Sequence, residues 1–394
     1  MSRKDKLAAM PCRLSPPGVV CGLGDSLDTI ASALFGGHRG LTSSDAYTPG
    51  RILPLGRVTS VLADDTGWPV EHRSRNNRLL ATALQRLDTS TLLAQHAPSR
   101  IGVVIGTSTS GIGETEQALA LAGRESPLPD SFRYAQQELG APARFVAEQL
   151  GLEGPAYVLS TACSSSARAL ASARRLLRSG ECDAVIAGGA DTLCRLTVNG
   201  FASLEAISDG PCLPFSANRN GINLGEAAAL FVVTRESGGI QLEGAGESSD
   251  AYHVSAPRPD GSGALAAMRA ALTQAGRRAE EIDYLNLHGT GTPHNDLMES
   301  RAVTQLFSAP PLCSSTKALT GHTLGAAGAL EAAFCWLALT QGKLPLHVYD
   351  GHYDPALPDL PLVSDASARM PRRVMSNSFA FGGNNASLLL SRAD

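Results

Sequence analysis

The sequence is poor in the features that mark several common protein classes. Aromatic residues make up only 5% of its 394 residues. No Cys-x-x-Cys pair occurs among its eight cysteines (Cys12, Cys21, Cys163, Cys182, Cys194, Cys212, Cys313 and Cys335). In a chain this long, that argues against a disulfide framework or a zinc site and for a reducing cytoplasm. Net charge is only −4, so nothing global draws the protein to nucleic acid. No apolar run reaches membrane-spanning length: Ala326–Leu339 comes nearest, is too short and contains Glu331. The N-terminus carries charge but no apolar core of signal length. Met10 precedes the first strand-like segment, Cys12-Arg-Leu, so residues 1–9 read as an upstream start or a loose tail. Two Gly-rich stretches, Gly106–Gly113 and Phe379–Asn385, lack a following Gly-Lys-Ser/Thr and fail as phosphate loops.

What is present is glycine (40 residues) and a steady alternation of strand-like and helix-like segments. The pattern predicts strands at Ile101–Ile105, Tyr157–Leu159, Ala184–Ala187, Ala228–Thr234, Tyr284–Leu287, Val374–Ser376 and Ala386–Leu390. Helices are expected at Leu27–Phe35, Asn77–Leu87, Pro142–Leu150, Ser164–Ser179, Ala264–Ala275, Asp296–Phe307 and Leu324–Gln341. This is α/β layering. Glu236-Ser-Gly-Gly239 is the best internal boundary, giving halves 1–239 and 240–394. Each half leads small residues into an Ala-rich helix, at Thr161–Leu170 and at Gly321–Leu330, which suggests two similar motifs meeting near one site.

Cys163 lies where the β-run Tyr157-Val-Leu gives way to a helix-forming stretch. Unpaired N–H groups and the helix dipole there favour thiolate, the form a nucleophile needs. The bland alternative is a small buried packing residue. The serines at 164–166 tilt the balance toward an open site rich in hydroxyls. His288 follows the strand-like Ile282–Leu287, at the end of a strand where α/β ligands bind; a satisfied turn histidine is the alternative. His322 follows Lys317 and opens the Leu324–Gln341 helix, where the dipole keeps an imidazole neutral and able to donate to an oxyanion. Lys317 is read as pairing with Glu299, with a purely structural ion pair weighted equally against a catalytic role. The Phe379–Asn385 turn can bring backbone N–H groups to a site, as an oxyanion hole requires.

Together these motifs resemble the β-ketoacyl-(acyl carrier protein) synthases of the elongating class. The likeness runs through Thr161-Ala-Cys-Ser-Ser-Ser, Asn220-Gly-Ile-Asn-Leu-Gly-Glu226, Ser248-Ser-Asp-Ala-Tyr-His253, His288-Gly-Thr-Gly-Thr-Pro, Lys317 with Gly321-His322, and Ser376–Asn384, in the family's order. The resemblance implies the thiolase fold, two related halves in five α-β-α-β-α layers, and a dimer. It implies an acyl thioester on Cys163, an oxyanion hole from the N–H groups of Cys163 and Phe381, and malonyl decarboxylation assisted by His288 and His322. It implies that Lys317 and Glu299 support the site, that Phe381 gates the acyl pocket, and that Thr290, Thr292 and Ser255 contact the phosphopantetheine arm. No cofactor or metal is implied, since the acyl carrier protein brings the activated groups.

His322 in place of Asn separates the elongating from the initiating class, and Cys163 argues against a chain-length factor. The rival readings are an initiating-class acyltransferase and a weakly active, carrier-binding subunit of a ketosynthase heterodimer. The chain departs from the family at Leu213-Pro-Phe-Ser216, where Arg-Pro-Phe-Asp is common, and at Thr109, aligned with the acyl pocket. A hydroxyl there leans toward a specialised chain, of polyene or polyketide type. Carrier proteins are acidic, so Arg73, Arg75 and Arg78 are the expected docking patch, with the arginines of the Cys163 helix as the alternative. The expected dimer is either homodimeric or a heterodimer with a chain-length factor.

Overall fold

The computed structural model describes residues 10–123, 127–365 and 369–393; the N-terminal tail, residues 1–9, lies outside them. Its sheet is built twice over. In the first half the strand order is Ala156–Leu159, Ile101–Gly106, Ala184–Asp191, Ala227–Thr234, Gly18–Cys21. In the second it is Leu312–Ser314, Tyr284–Asn286, Arg373–Phe379, Asn384–Arg392, Ile240–Ser249. Numbered along the chain within each half, both orders are third, second, fourth, fifth, first. The directions repeat as well: second pairs parallel with third and fourth, while fifth pairs antiparallel with fourth and first. The short strand Arg13–Leu14 pairs with Val233–Thr234 on one side and Ile240–Gln241 on the other, joining the halves. A faint sequence rhythm is thus a full topological repeat.

Two helices lie between the sheet halves, Ser165–Ser179 and the segment Leu324–Gln341, and each packs against strands of both halves. Arg75–Leu84 and Ala141–Leu150 cover the outer face of the first half, Ser262–Ala275 and Pro293–Leu306 that of the second. The result is the five-layer α-β-α-β-α stack of the thiolase fold. The central helices approach closely because their contact face is small: a methyl group at Gly328 would come within 2.6 Å of the Ala167 side chain. Ser166 Oγ accepts a bond from Ala329 N at 2.8 Å across the same seam.

The Leu324–Gln341 segment corrects one expectation. It opens as a 3₁₀ turn over Leu324–Ala326 and runs on as an α-helix, 18 residues in all. By length and composition it could cross a membrane, but it is 83% buried inside the protein, as a core helix is. Elements that the hydrophobic pattern missed are short or small-residue rich: Gly18–Cys21, Leu312–Ser314, Ile112–Ala122 and Arg195–Ser203.

Candidate active site

Cys163 sits just ahead of the Ser165–Ser179 helix, after Ala162, which holds a left-handed φ of 51°. The following serines build this sharp entry. Ser164 Oγ donates to Thr161 O at 2.8 Å, and Ser165 Oγ donates to Ala162 O at 2.5 Å while accepting from Thr161 N at 2.9 Å. All three serines are fully buried. Ser164 and Ser165 fasten the nucleophile turn and Ser166 the seam to the second central helix, which corrects their reading as the hydroxyls of an open site.

The two central helices and the His288 loop converge here. Cys163 Sγ lies 3.0 Å from His322 Nε2, and the His288 and His322 rings meet edge to face at 5.4 Å. One donor atom from each of Cys163, His288 and His322 falls within 4.8 Å of the others. His288 N and Gly289 N donate to the two oxygens of Glu299, at 2.8 and 2.7 Å, which fixes the loop that carries the ring. His322 is held differently, by its N–H to Asn223 O at 2.7 Å and its carbonyl to Gly225 N at 3.0 Å.

Electrostatics modify two expectations. Burial pushes the Cys163 thiol up to about 11. The charge of Lys317 and the N–H groups of Phe381 and Cys163 itself pull it down, and the Asp191 carboxylate pushes it further up. The resting group is therefore a thiol, because removal from water outweighs the helix terminus. Both histidines titrate well below the usual imidazole range, first through burial and then through Lys317; His322 adds to the effect on His288. His322 is neutral as expected, but for these reasons: it precedes the helix and its dipole end. Both Nδ1 atoms are buried without a protein hydrogen-bond partner.

Lys317 does not pair with Glu299. Its Nζ meets Glu331 Oε1 at 2.5 Å, on the Ala327–Gln341 helix. Glu299, engaged with the His288 backbone, also accepts from Asn377 Nδ2 at 3.2 Å, and burial raises its carboxyl to about 7. Glu331 was legible as the one charge within an apolar helix, but only the fold brings Lys317 to it.

A cavity of about 490 Å³ opens onto the three residues. Phe381, Thr290, Thr292 and Ser255 line it, joined by Phe201, whose ring lies 5.5 Å from that of Phe381. The Thr290 and Thr292 hydroxyls are 2.9 Å apart. The Phe381 turn depends on glycine: Gly382 and Gly383 hold φ of 76° and 72°, and Gly382 N donates to Val254 O at 2.7 Å. Thr109 is not part of this lining; its hydroxyl donates to Asp191 at 2.8 Å. Of the three arginines of the expected docking patch, only Arg75 meets a carboxylate, and Arg73 is exposed. Arg73 donates to the carbonyls of Trp68 and Thr66, and Arg78 to that of Ala63. Arg75 forms a two-pronged bond with buried Glu226, at 2.8 and 2.5 Å. Arginines of the Cys163 helix are likewise engaged, Arg168 and Arg175 with Glu247. Asp191 and Phe201 carried no motif by which the sequence singles them out, and Asn377 lay within the Ser376–Asn384 motif without a role assigned to it.

Comparison with known proteins agrees with this geometry. The family model "Beta-ketoacyl synthase, N-terminal domain" matches residues 74–238, and "Beta-ketoacyl synthase, C-terminal domain" matches residues 240–349. Nodulation protein E of Rhizobium meliloti is 36% identical over 306 residues, 73% of this chain and 75% of that protein. The mitochondrial 3-oxoacyl-[acyl-carrier-protein] synthase of Arabidopsis thaliana is 37% identical over 316 residues, 74% of this chain and 68% of that one. Among solved structures, a ketosynthase of Xenorhabdus doucetiae, in complex with its chain length factor, superposes with a TM-score of 0.93 at 47% identity, covering 98% of both chains. A β-ketoacyl synthase of Burkholderia phymatum STM815 gives 0.86 at 28% identity, over 98% of this chain and all of the other.

Proposed function

The chain belongs to the β-ketoacyl synthase family, and we propose from that premise how its own residues carry the reaction. It is a β-ketoacyl-acyl carrier protein synthase: it condenses an acyl thioester with malonyl-carrier in fatty acid or polyketide elongation. The observation that carries the assignment of roles is the 3.0 Å contact between Cys163 Sγ and His322 Nε2, with His288 beside it.

In the first half-reaction Cys163 sulfur attacks the carbonyl of the acyl-carrier thioester. The new S–acyl bond forms as the carrier C–S bond breaks, and the Cys163 proton ends on the departing carrier thiol. The N–H groups of Phe381 and Cys163, both close enough to act on the sulfur, are the donors for the oxyanion. In the second half-reaction the malonyl C–CO₂ bond breaks and its electron pair becomes an enolate. Two neutral imidazoles, donating through Nε2–H, can stabilise that enolate oxygen without bringing a competing charge. The enolate carbon attacks the carbonyl of the Cys163 thioester: the C–C bond forms, the Cys163 C–S bond breaks, and the departing thiolate takes a proton from solvent. Two half-reactions on one nucleophile give ping-pong kinetics.

Thr290, Thr292 and Ser255 on the cavity wall suit contacts to the phosphopantetheine arm, and the Phe201–Phe381 pair suits a gate. The chemistry needs no resident metal or organic cofactor, because the carrier delivers both activated groups. Intact Cys163, His288 and His322 favour an active subunit over a silent carrier-binding one. The 47% identity to a ketosynthase solved with its chain length factor supports a heterodimer with such a chain, and with it a polyketide-type pathway. Thr109 lends no weight to an unsaturated substrate, since its hydroxyl is committed to Asp191. Eight free cysteines fit a cytoplasmic setting.

The test is intact-mass spectrometry of the protein with its partner chain, acyl-carrier and malonyl-carrier. An acyl adduct on Cys163, discharged as β-ketoacyl product only when malonyl-carrier is added, is expected. Absence of both with fully charged carriers rejects the assignment.

A further inference from the structure

Asp191 ends the Ala184–Asp191 strand of the first half and is completely buried. Its Oδ1 accepts from Thr107 Oγ1 at 2.6 Å, from Ser108 N and Thr109 N at 2.8 Å each, and from Thr109 Oγ1 at 2.8 Å. Its Oδ2 accepts from Ser108 N at 3.0 Å and from Gly325 N at 2.5 Å. These partners are N–H and O–H groups from two separate parts of the chain. Backbone N–H groups can only donate, so the carboxylate is the form this cradle fits, although burial pulls toward the acid.

Each end of the cradle leads to a reacting group. The Thr107–Thr109 loop leaves the Ile101–Gly106 strand against the nucleophile helix: a methyl at Gly106 would come within 2.3 Å of Ser166 N. Gly325 follows His322 closely, across a turn in which Leu324 holds a left-handed φ of 50°. An L-residue in that region is disfavoured unless its surroundings fix it. The fit at Gly325 is tight, since a methyl there would lie 2.7 Å from Asp191 Oδ2 and 2.9 Å from Ser108 N.

We propose that Asp191 is a positioning residue for the Cys163–His322 pair, locking the Thr107–Thr109 loop of one half to the turn after His322 in the other. The inference rests on the reading of Cys163 and His322 as the reacting pair. It gives the buried carboxylate two separable effects. Its hydrogen bonds hold the sulfur and imidazole in register across the two halves. Its charge adds to the burial that keeps Cys163 protonated, against the pull of Lys317 and the Phe381 N–H.

Two substitutions divide these effects. Asp191→Asn keeps the shape, removes the charge and turns an NH₂ toward N–H donors. Gly325→Ala keeps the charge and displaces the Gly325 bond. Both are compared with wild type by thermal melting, by iodoacetamide labelling of Cys163 at a fixed pH near about 8.5, and by steady-state condensation. Asp191→Asn is expected to label roughly three- to tenfold faster, because losing a nearby negative charge raises the thiolate fraction. Its kcat is expected to fall about tenfold, with KM for acyl-carrier within about twofold. Gly325→Ala should lose kcat similarly with its labelling rate unchanged. If both fold and neither changes labelling or kcat, or if kcat falls only in step with the folded fraction, the proposal is overturned. Should Asp191→Asn not fold, a wild-type kcat in Gly325→Ala overturns it. Labelling needs no carrier substrate, so a wild type that never forms an acyl adduct rejects the assigned function while the labelling comparison still decides the role of Asp191.

Discussion

Lys317 and Glu331 form a buried ion pair at 2.5 Å, with side-chain exposures of 2% and 3%. The pair joins the short Lys317–Thr320 helix to the core helix Ala327–Gln341, and it places one positive charge near both active-site histidines. Removing one partner strands a charge in the core. Glu331→Ala should therefore cost about 3–5 kcal/mol of stability, whereas Lys317→Met with Glu331→Leu should recover most of it. Activity should not return in the double variant. Without Lys317 the histidines lose a neighbour that disfavours their charged form, and malonyl decarboxylation is expected to fall. Urea melts alongside release of CO₂ from malonyl-carrier check both halves; a double variant as active as wild type would show that the pair is purely structural.

Arg75 carries the opposite lesson about charge on a surface. Its guanidinium is about one-third exposed, yet it grips Glu226, which is fully buried and also accepts from Val58 N at 3.0 Å. Arg75→Glu would place two carboxylates together, one of them without solvent. A loss of roughly 3–5 kcal/mol follows, read as a lower urea midpoint with the carrier absent. Carrier affinity of whatever fraction stays folded should be close to wild type. A stable variant with weakened, salt-sensitive carrier binding would restore Arg75 to the docking surface.

The Phe201 ring contacts Phe381 at one wall of the Cys163 cavity. Phe201→Ala widens that wall while leaving Cys163, His288 and His322 in place. The expected change is a shift in kcat/KM toward bulkier or longer acyl-carriers, several-fold relative to a short one, since pocket fit to apolar groups is worth only ~1–3 kcal/mol. Competition between two acyl-carriers, read by mass spectrometry of the Cys163 adduct, measures it; an unchanged preference would place the acyl chain elsewhere.

Most of this architecture is legible in the amino-acid sequence. Strand positions such as Ile101–Gly106 and helices such as Leu27–Phe35 follow from local periodicity, and the order of motifs around Cys163, His288 and His322 marks the family. What escaped the sequence depends on distance along the chain. Nearness to motifs points Lys317 to Glu299, beside the other histidine loop; its partner, Glu331, lies within an Ala-rich helix where a lone charge reads as an interruption. Spacing shows Arg73, Arg75 and Arg78 as a cluster of charge at the start of the Arg75–Leu84 helix, but it does not show that Arg75 alone is tied to the buried Glu226. The serines after Cys163 suggest chemistry, but their use is geometry: Ser164 and Ser165 bond the turn that presents the sulfur, and Ser166 bonds the facing helix.

Glu299 makes a pH prediction of definite sign. Burial lifts its carboxyl from an ordinary 4.5 to about 7, against the N–H groups of Gly289 and His288 and the Asn377 amide. A carboxyl raised on folding binds its proton more tightly in the folded state. Its stabilising contribution is complete below about 4.5 and is lost as pH climbs through about 7, amounting to roughly 3 kcal/mol. Glu299→Gln removes that titration while keeping an oxygen for one of the N–H groups. The unfolding free energy of wild type minus that of the variant should therefore fall by ~3 kcal/mol between pH of about 4.5 and about 8. His288, His322 and His347 act in the other direction. Each is depressed on folding, so its stabilisation is present above the ordinary imidazole value and lost as pH falls, toward about 4 for His347. Those terms are common to both proteins and cancel in the difference. Urea melts by circular dichroism across this range make the comparison, and parallel pH curves would mean that Glu299 is already ionised in the folded protein.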